Sequence, residues 1–326
     1  MQPSHPPHLA PGTPRPRRGH AAATQRPYWL RALDGGSLAL LAAAFCWGSA
    51  IPLSKLLLER LDVATLISTQ LSASLVLLLV FMLVSRTRLA IPRWRLLPPL
   101  LLVGMLEPGA AYYLEFVGLQ RTSALHTALI LALEPCGILL INLLFFRLRR
   151  DLALLLAMLV ASAGVLLVVL GAGDDGGTAS LYGDLIVFLG TMAAALYVSV
   201  STQLLRPTAI LSMLVIQQAS SLALVTVLNS IGNTPAAAGA APGFAMLLGA
   251  AGVGCLQFTL AFVLYFHGVR RSSEYWGVMV LNLAPLISVV ASLLLLDEVP
   301  GPLYLIGGTV TLLACCYTRH ARACTG

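Results

Sequence analysis

The sequence is dominated by apolar runs of about 20 residues, which recur from about residue 36 to about residue 318. Each run is long enough to cross a bilayer core of about 30 Å as a helix. Only 10% of the residues are charged, and a soluble domain would carry about 25%. The ten-residue alternation that is typical of a membrane β-barrel is absent. The chain is therefore predicted to be an all-α membrane protein.

Turn and charge signals such as ERLD, GAGDDGGTAS and DEVPG separate the apolar runs and mark the ends of helices. Ten transmembrane helices are predicted from them. They cover roughly residues 36–57, 63–85, 96–119, 123–145, 152–171, 181–204, 208–230, 243–268, 273–296 and 301–318.

The arginines orient these helices. If the N-terminus is inside, 17 arginines lie in inner segments, and only Arg60 and Arg121 lie in outer loops. Such a bias is typical of cytoplasmic loops and places both termini in the cytoplasm.

Residues 1–35, rich in Pro and Arg, are predicted to be a disordered cytoplasmic tail, and residues 319–326 a short cytoplasmic tail. The net charge of +7 follows from this orientation, so no nucleic acid partner is inferred.

The chain contains an internal repeat. A shift of 150 residues aligns YYLEFVGLQRTSALHTALILALEPCGILLINLL (112–144) with residues 262–294 without a gap. Each half, 36–171 and 181–318, then holds five spans. Because five is odd, the second half enters the membrane with opposite polarity. Two inverted five-helix repeats place a substrate site near the midplane between the halves. The matches that apolar composition does not explain are Gly118/Gly268, Arg121/Arg271, Ser123/Ser273 and Pro135/Pro285.

Three stretches resemble EamA-type permeases of the drug/metabolite transporter superfamily. They are FCWGSAIPLSK (45–55), LQRTSALHTALILALEPCGILLINLLFF (119–146), and the second copy beginning RRSSEYWGVMVLNLAP at residue 270. The likeness covers about residues 40–318. It implies ten helices in two inverted halves and the export or exchange of small organic solutes such as amino acids, metabolites and drugs.

Two glutamates interrupt the apolar runs. Glu134 lies in the middle of the fourth span and Glu107 in the middle of the third. A charge at the centre of a membrane helix costs about 2.5–3.5 kcal/mol on insertion scales. The short turn between the two spans places both glutamates at similar depth, and two nearby carboxylates in a low dielectric favour the retention of one proton. We expect them to form a protonation-linked part of the substrate path. The alternative is a structural glutamate bonded to a neighbouring helix.

Proline follows each of these glutamates. Pro108 and Pro135 each remove a backbone hydrogen bond and loosen the helix. We expect the carbonyls that are freed to help build a polar site beside the carboxylates. Pro135 has an equivalent at Pro285, so this proline is interpreted as scaffold that both halves share.

The repeat predicts an opposite wall of different chemistry. The shift of 150 places Gln257 opposite Glu107, and Ala284, two residues from Asn282, opposite Glu134. The second half therefore keeps polar side chains at or near these positions but has no charged ones. The pocket is then acidic on one wall and amide-bearing on the other, which fits a substrate with an amino group and fits proton coupling equally well.

Further candidates are Lys55, Glu115, Trp47, Tyr197 and Gln70. Lys55, the only lysine, is expected either to pair with Glu115 or to extend to the outer interface. Trp47 belongs to the motif that resembles the family, and its side chain is expected either to line the pocket or to pack in the core. Tyr197 is the comparable aromatic residue of the second half. Gln70 is expected to form an interhelical hydrogen bond or to contact substrate.

Two other titratable residues are assigned to the ends of helices. His126 is expected near the outer interface, with a role as a proton relay less favoured. Asp184 is expected at a helix N-terminus, where a carboxylate suits the helix dipole.

These patterns predict a secondary transporter that exports a small organic metabolite, amino-acid-like or drug-like solute by proton coupling and alternating access. The alternative is a membrane-embedded enzyme acting on a lipid or prenyl substrate. No catalytic residue, metal site or cofactor is predicted, and the six cysteines show no CxxC spacing. The partners are a small-molecule substrate, the lipid bilayer and protons, and the sequence allows a homodimer. High Ala, Leu and Arg content indicates a bacterial plasma membrane.

Overall fold

The computed structural model describes residues 35–90, 93–145, 180–204, 209–231, 243–271, 283–296, 301–303 and 305–310, with isolated positions 156, 160, 163, 164, 167 and 313. Its helices are α1 Gly35–Leu58, α2 Val63–Val84, α3 Leu97–Leu119, α4 Ala124–Phe145, α5 Leu181–Leu204, α6 Ile210–Ile231, α7 Phe244–Arg271 and α8 Leu283–Leu295.

Seven helices of the described ranges, α1 to α7, are long and apolar enough to cross a membrane, and α8 is a shorter apolar helix. They correspond to predicted spans one to four and six to nine. The predicted span 152–171 lies outside the described residues apart from five isolated positions, and of the span 301–318 the helical part that is described is 302–303 and 305–310.

The outer faces of the helices carry large apolar side chains. Leu83, Val84, Phe244 and Leu294 are each more than three quarters exposed. Contact of such side chains with water is unfavourable, whereas lipid tails are as apolar as they are. The chain is therefore an integral membrane protein.

Polar residues in the turns start two of the helices. The Asp62 side chain accepts a hydrogen bond from the Thr65 backbone at 2.9 Å at the beginning of α2. Ser123 accepts one from the His126 backbone at 3.0 Å at the beginning of α4. Both satisfy backbone donors that lack a partner within their own helix, so the ERLD and QRTS segments form turns between helices.

Helix α3 is broken at its centre. Residues Met105–Ala110 form a widened π-type turn, in which Glu107 has extended backbone angles of φ −146° and ψ 134°. Pro108 has no N–H, so the carbonyl of Gly104 loses its helical partner. The Ser221 hydroxyl of α6 donates a hydrogen bond to that carbonyl. The carbonyl that Pro108 frees was expected to help build the polar site. That interpretation is wrong for Gly104, because its carbonyl accepts a hydrogen bond from α6.

Helix α7 has the same break 150 residues later, at Cys255–Leu260. Phe258 stands here where α3 has Pro108, so the wide turn forms without a proline. The Gln218 side chain of α6 donates to the Phe258 carbonyl. Ser74 of α2 lies 2.7 Å from both the Gln218 side-chain oxygen and the Thr259 hydroxyl. Side chains of two neighbouring helices therefore stabilise the break.

Each broken helix packs closely against the other half of the chain. A Cβ added at Gly104 of α3 would meet the backbone of Gln217 in α6, and one added at Gly254 of α7 would meet the backbone of Gln70 in α2. Only glycine permits backbones to approach this closely.

A second close contact between helices also occurs once in each half. A Cβ at Gly118 of α3 would lie 2.7 Å from the Gly183 carbonyl of α5, and one at Gly268 of α7 would lie 2.9 Å from the Gly36 carbonyl of α1. The third helix of each half thus packs against the first and second helices of the other half. The core is shared between the halves.

Contacts at one end of the bundle fix the direction of the helices. Lys55, near the end of α1, donates to the carbonyls of Leu119 and Thr122, both at 2.6 Å, where α3 ends. The Thr122 hydroxyl donates to Asp184, in the first turn of α5. The end of α1 and the beginning of α5 therefore lie on the same side, and these two helices run in opposite directions.

The close contact at Gly254 gives a test with a matched control in the same helix. We expect Gly254→Ala to lower the melting temperature of the protein in detergent, because the added methyl group would overlap the Gln70 backbone. Gly252 has nothing within 4 Å of an added Cβ, so Gly252→Ala should leave the melting temperature unchanged or raise it slightly through helix propensity. Equal melting temperatures for the two variants would contradict the packing described here.

Candidate functional site

A buried pocket with a cavity volume of about 70 Å³ lies between six helices. Helices α1, α3 and α4 contribute residues from the first half, and α5, α7 and α8 from the second. Its lining is Trp47, Ile51, Glu107, Ala111, Tyr112, Glu115, Leu131, Glu134, Gly190, Ala194, Tyr197, Val198, Gln257, Phe262, Tyr265, Ala284 and Pro285.

Three carboxyl groups share this pocket. Glu107 and Glu115 of α3 are only 5% and 7% exposed, and Glu134 of α4 completes the set. When ionised, the three charges repel one another. Among the described residues, no Lys, Arg or His side chain lines the pocket and none forms an ion pair with these carboxyl groups. Within the described lining, no cation therefore compensates these carboxyl groups when they are ionised.

Two of the glutamates lie at interruptions of their helices. Glu107 lies in the break of α3. In α4 the regular helix stops after Leu131 and resumes at Glu134, with Leu133 N–H bonded three residues back to the Ile130 carbonyl at 3.0 Å. Pro135 then falls in the first turn of the resumed helix, where a missing N–H is tolerated. Interrupted backbone thus directs both carboxyl groups toward the pocket.

The opposite wall is aromatic. The Trp47 ring meets Phe262 at 5.2 Å and Tyr265 at 5.4 Å between centroids, and Tyr197 meets Phe262 at 5.9 Å, all in edge-to-face arrangements. The Tyr197 hydroxyl donates to the Gln217 side chain at 3.1 Å, which fixes the ring. Edge-to-face contacts of this kind add to the stability that burial supplies.

Three pocket residues have polar atoms that are buried without a hydrogen-bond partner in the described part of the chain. They are Oε2 of Glu107, Oε1 of Gln257 and the indole Nε1 of Trp47. Unsatisfied buried groups are costly and uncommon in folded proteins. A solute or water in the pocket can supply the missing partners.

Pairing with Glu115, one of the two expectations for Lys55, is not formed in the structure. Lys55 instead donates to the backbone carbonyls of Leu119 and Thr122, and Glu115 lines the pocket. The last carbonyls of a helix have no partner inside it and attract cations. Lys55 therefore stabilises the end of α3 and does not neutralise the pocket.

The remaining candidates differ in where they lie. Trp47, Tyr197 and Gln257 line the pocket, as does Pro285 of α8. Gln70 is fully buried but lies outside the lining, where its amide donates to the Ser54 hydroxyl at 3.3 Å. The structure thus contains the interhelical hydrogen bond, which is one of the two readings of the sequence. Asn282 lies outside the described residues.

His126 and Asp184 form a buried pair away from the pocket lining. The His126 ring nitrogen Nδ1 lies 3.2 Å from a carboxyl oxygen of Asp184, and both residues are at most 2% exposed. The other carboxyl oxygen accepts from the Thr122 hydroxyl. The expected placement of His126 at the outer interface is wrong, because close packing of α3, α4 and α5 buries that end of the bundle. Asp184 lies in the first turn of α5, as the sequence predicts.

Sequence reasoning did not select three aromatic lining residues, Tyr112, Phe262 and Tyr265. The repeat could have indicated them, because the shift of 150 places Tyr265 opposite Glu115 and Phe262 opposite Tyr112. The equivalent positions 115 and 265 therefore carry a carboxyl group in the first half and an aromatic ring in the second half.

A bundle of apolar membrane-spanning helices around a buried acidic and aromatic pocket defines a membrane transporter. The chain matches the model of the EamA-like transporter family twice, over residues 34–170 and 181–319, and it belongs to this family.

Two comparisons extend this result. The chain is 25% identical over 276 residues to "Uncharacterized transporter YdfC" of Bacillus subtilis (strain 168), covering 83% of this chain and 87% of that protein. It also matches a solved crystal structure with a TM-score of 0.64 at 18% identity, covering 89% of this chain and 99% of that one. The second comparison supports the fold alone.

The buried end of the bundle predicts a stability change. Thr122→Val removes one hydrogen bond to the buried Asp184 carboxylate and should destabilise the protein by about 1–3 kcal/mol. Thr122→Ser keeps the hydroxyl and should cost less. Thermal unfolding of both purified variants in the same detergent measures the difference, and an equal loss would show that the hydrogen bond contributes nothing.

Proposed function

We propose that this protein is a proton-coupled secondary transporter that exports a small organic solute, a metabolite or an amino-acid-like or drug-like molecule, by alternating access. The observation that carries the proposal is the buried pocket between helices of both halves, in which Glu107, Glu115 and Glu134 converge. A site at the interface of two repeats is where secondary transporters bind their substrates.

The proposed architecture is ten transmembrane helices in two inverted five-helix repeats, at residues 36–171 and 181–318. The opposite directions of α1 and α5, and the matching breaks of α3 and α7, support it. The two family matches within one chain agree with a repeat of this length. Because each broken helix contacts the other half, a rearrangement between the halves would change the shape of the pocket.

Protons are the proposed coupling ion. Three carboxyl groups interact electrostatically within one pocket that lacks a compensating base in the described lining. Like charges at short range in a low dielectric repel strongly, so binding of protons or of a cationic solute would stabilise the pocket. Glu107 and Glu134 would hold protons in one state, and in the other they would release them to the cytoplasm and bind solute in their place. When protons moving into the cell are exchanged for solute moving out, the proton gradient drives export of the solute.

We place the protein in the plasma membrane of a bacterium, with both termini in the cytoplasm. The arginine distribution supports the orientation. The partners of this proposal are the small-molecule substrate, the bilayer and protons, and a homodimer is compatible with it.

The alternative of a membrane enzyme acting on a lipid or prenyl substrate is not favoured. Such chemistry would use carboxylates grouped around a divalent metal or clustered His and Asp residues. The described residues contain no group of three or more His, Cys, Asp or Glu that could hold a metal ion, and the family to which the chain belongs consists of transporters.

The test is transport in proteoliposomes with a pH gradient, measured against a panel of amino acids, metabolites and amines. Glu107→Gln and Glu134→Gln keep the size of the side chain and remove its proton site. Each should reduce gradient-driven transport by about tenfold or more, the range over which a positioned proton acceptor commonly acts.

Glu59→Gln is the matched control. Glu59 is an exposed glutamate in the turn after α1 and should tolerate the change without loss of transport. Wild-type rates for both pocket variants would overturn the coupling role. Turnover of a lipid substrate, with no solute transported, would favour the enzyme.

A further inference from the structure

The acidic character of the pocket comes from one half of the chain. Under the shift of 150, Glu107 corresponds to Gln257, Glu115 to Tyr265, and Glu134 to Ala284. All six positions line the pocket, so each carboxyl group has a neutral residue at the equivalent position of the other half. The pocket is therefore acidic on one wall and neutral on the other.

Two basic residues of the first half, Lys55 and His126, are engaged elsewhere. Lys55 donates to two carbonyls at the end of α3, and His126 contacts Asp184. Neither lines the pocket. Within the described lining, an anionic group of a solute would therefore meet three carboxyl groups and no cation.

The arrangement suits an organic cation better than an inorganic one. The three carboxyl groups do not form a cluster that could hold a metal ion, whereas the wall of Trp47, Tyr197, Phe262 and Tyr265 presents aromatic rings. The faces of such rings attract desolvated cations, most strongly that of tryptophan. Carboxylates also bind ammonium groups through charge-assisted hydrogen bonds. Acid and ring together match the charged head and apolar body of an amine.

We propose that this pocket selects organic amines that carry no carboxylate. The proposal rests on the transport function proposed above and narrows its substrate class. An amino acid brings the same ammonium group, but its carboxylate enters the repulsive field of Glu107, Glu115 and Glu134. An organic acid has a carboxylate that the three glutamates repel and no ammonium group that they attract.

Three probes that share one ring separate these cases: 2-phenylethylamine, L-phenylalanine and 3-phenylpropionate. Their binding is measured by isothermal titration calorimetry on the purified full chain in lipid nanodiscs, with protein-free nanodiscs as the blank. The amine should bind about tenfold or more tightly than L-phenylalanine, the difference expected for one unfavourable buried charge. The acid should not bind. Equal affinity for L-phenylalanine or for the acid, or no binding of the amine, overturns the proposal.

Variants locate the binding to this pocket. Glu115→Gln and Glu134→Gln should each weaken amine binding about tenfold, whereas the exposed control Glu59→Gln should leave it unchanged. Two pocket variants are used so that a folding defect in one does not decide the result. Unchanged affinity in a folded pocket variant overturns the assignment.

The same probes separate this proposal from the transport function. Gradient-driven movement of L-phenylalanine or 3-phenylpropionate, without binding of the amine, would overturn the amine selectivity and leave the transporter intact. Binding of the amine with the expected dependence on Glu115 and Glu134, but no movement of any solute, would uphold the amine site and overturn transport.

Discussion

The structure depends on one constraint: a backbone polar group inside the hydrocarbon layer must find its hydrogen-bond partner within the protein. An intact helix meets this requirement by itself, and a broken helix does not. The breaks in α3 and α7 are tolerated because α6 supplies the missing donors, Ser221 to the Gly104 carbonyl and Gln218 to the Phe258 carbonyl. The break in α3 in turn gives Glu107 its extended backbone and its place in the pocket.

Much of the fold could be predicted because its signals are local. The lengths of the apolar runs, the polar residues in the turns and the 150-residue repeat place the described helices within a few residues. Glu107 and Glu134 could be identified as pocket candidates because a charge in an apolar run is unexpected at any rotation of the helix. The fifth predicted span lies outside the described residues and stays a prediction.

The orientation of side chains could not be predicted. These helices are apolar on every face, so the sequence offers little contrast between the side that faces lipid and the side that faces the core. The alternatives for Lys55 and for Gln70 stayed open because the position of each residue along its helix can be read from the sequence, whereas the direction of its side chain cannot. The aromatic wall depends on how helices from both halves rotate, which only the packed structure determines.

The shared core has a consequence for how the protein is made. Helix α3 leaves the ribosome before α5 and α6, although its glycine faces at Gly104 and Gly118 pack only against those later helices. During synthesis these faces, and the carbonyl that Ser221 later satisfies, have no partner from the finished structure. These faces of the first half therefore acquire their final packing only when the second half arrives.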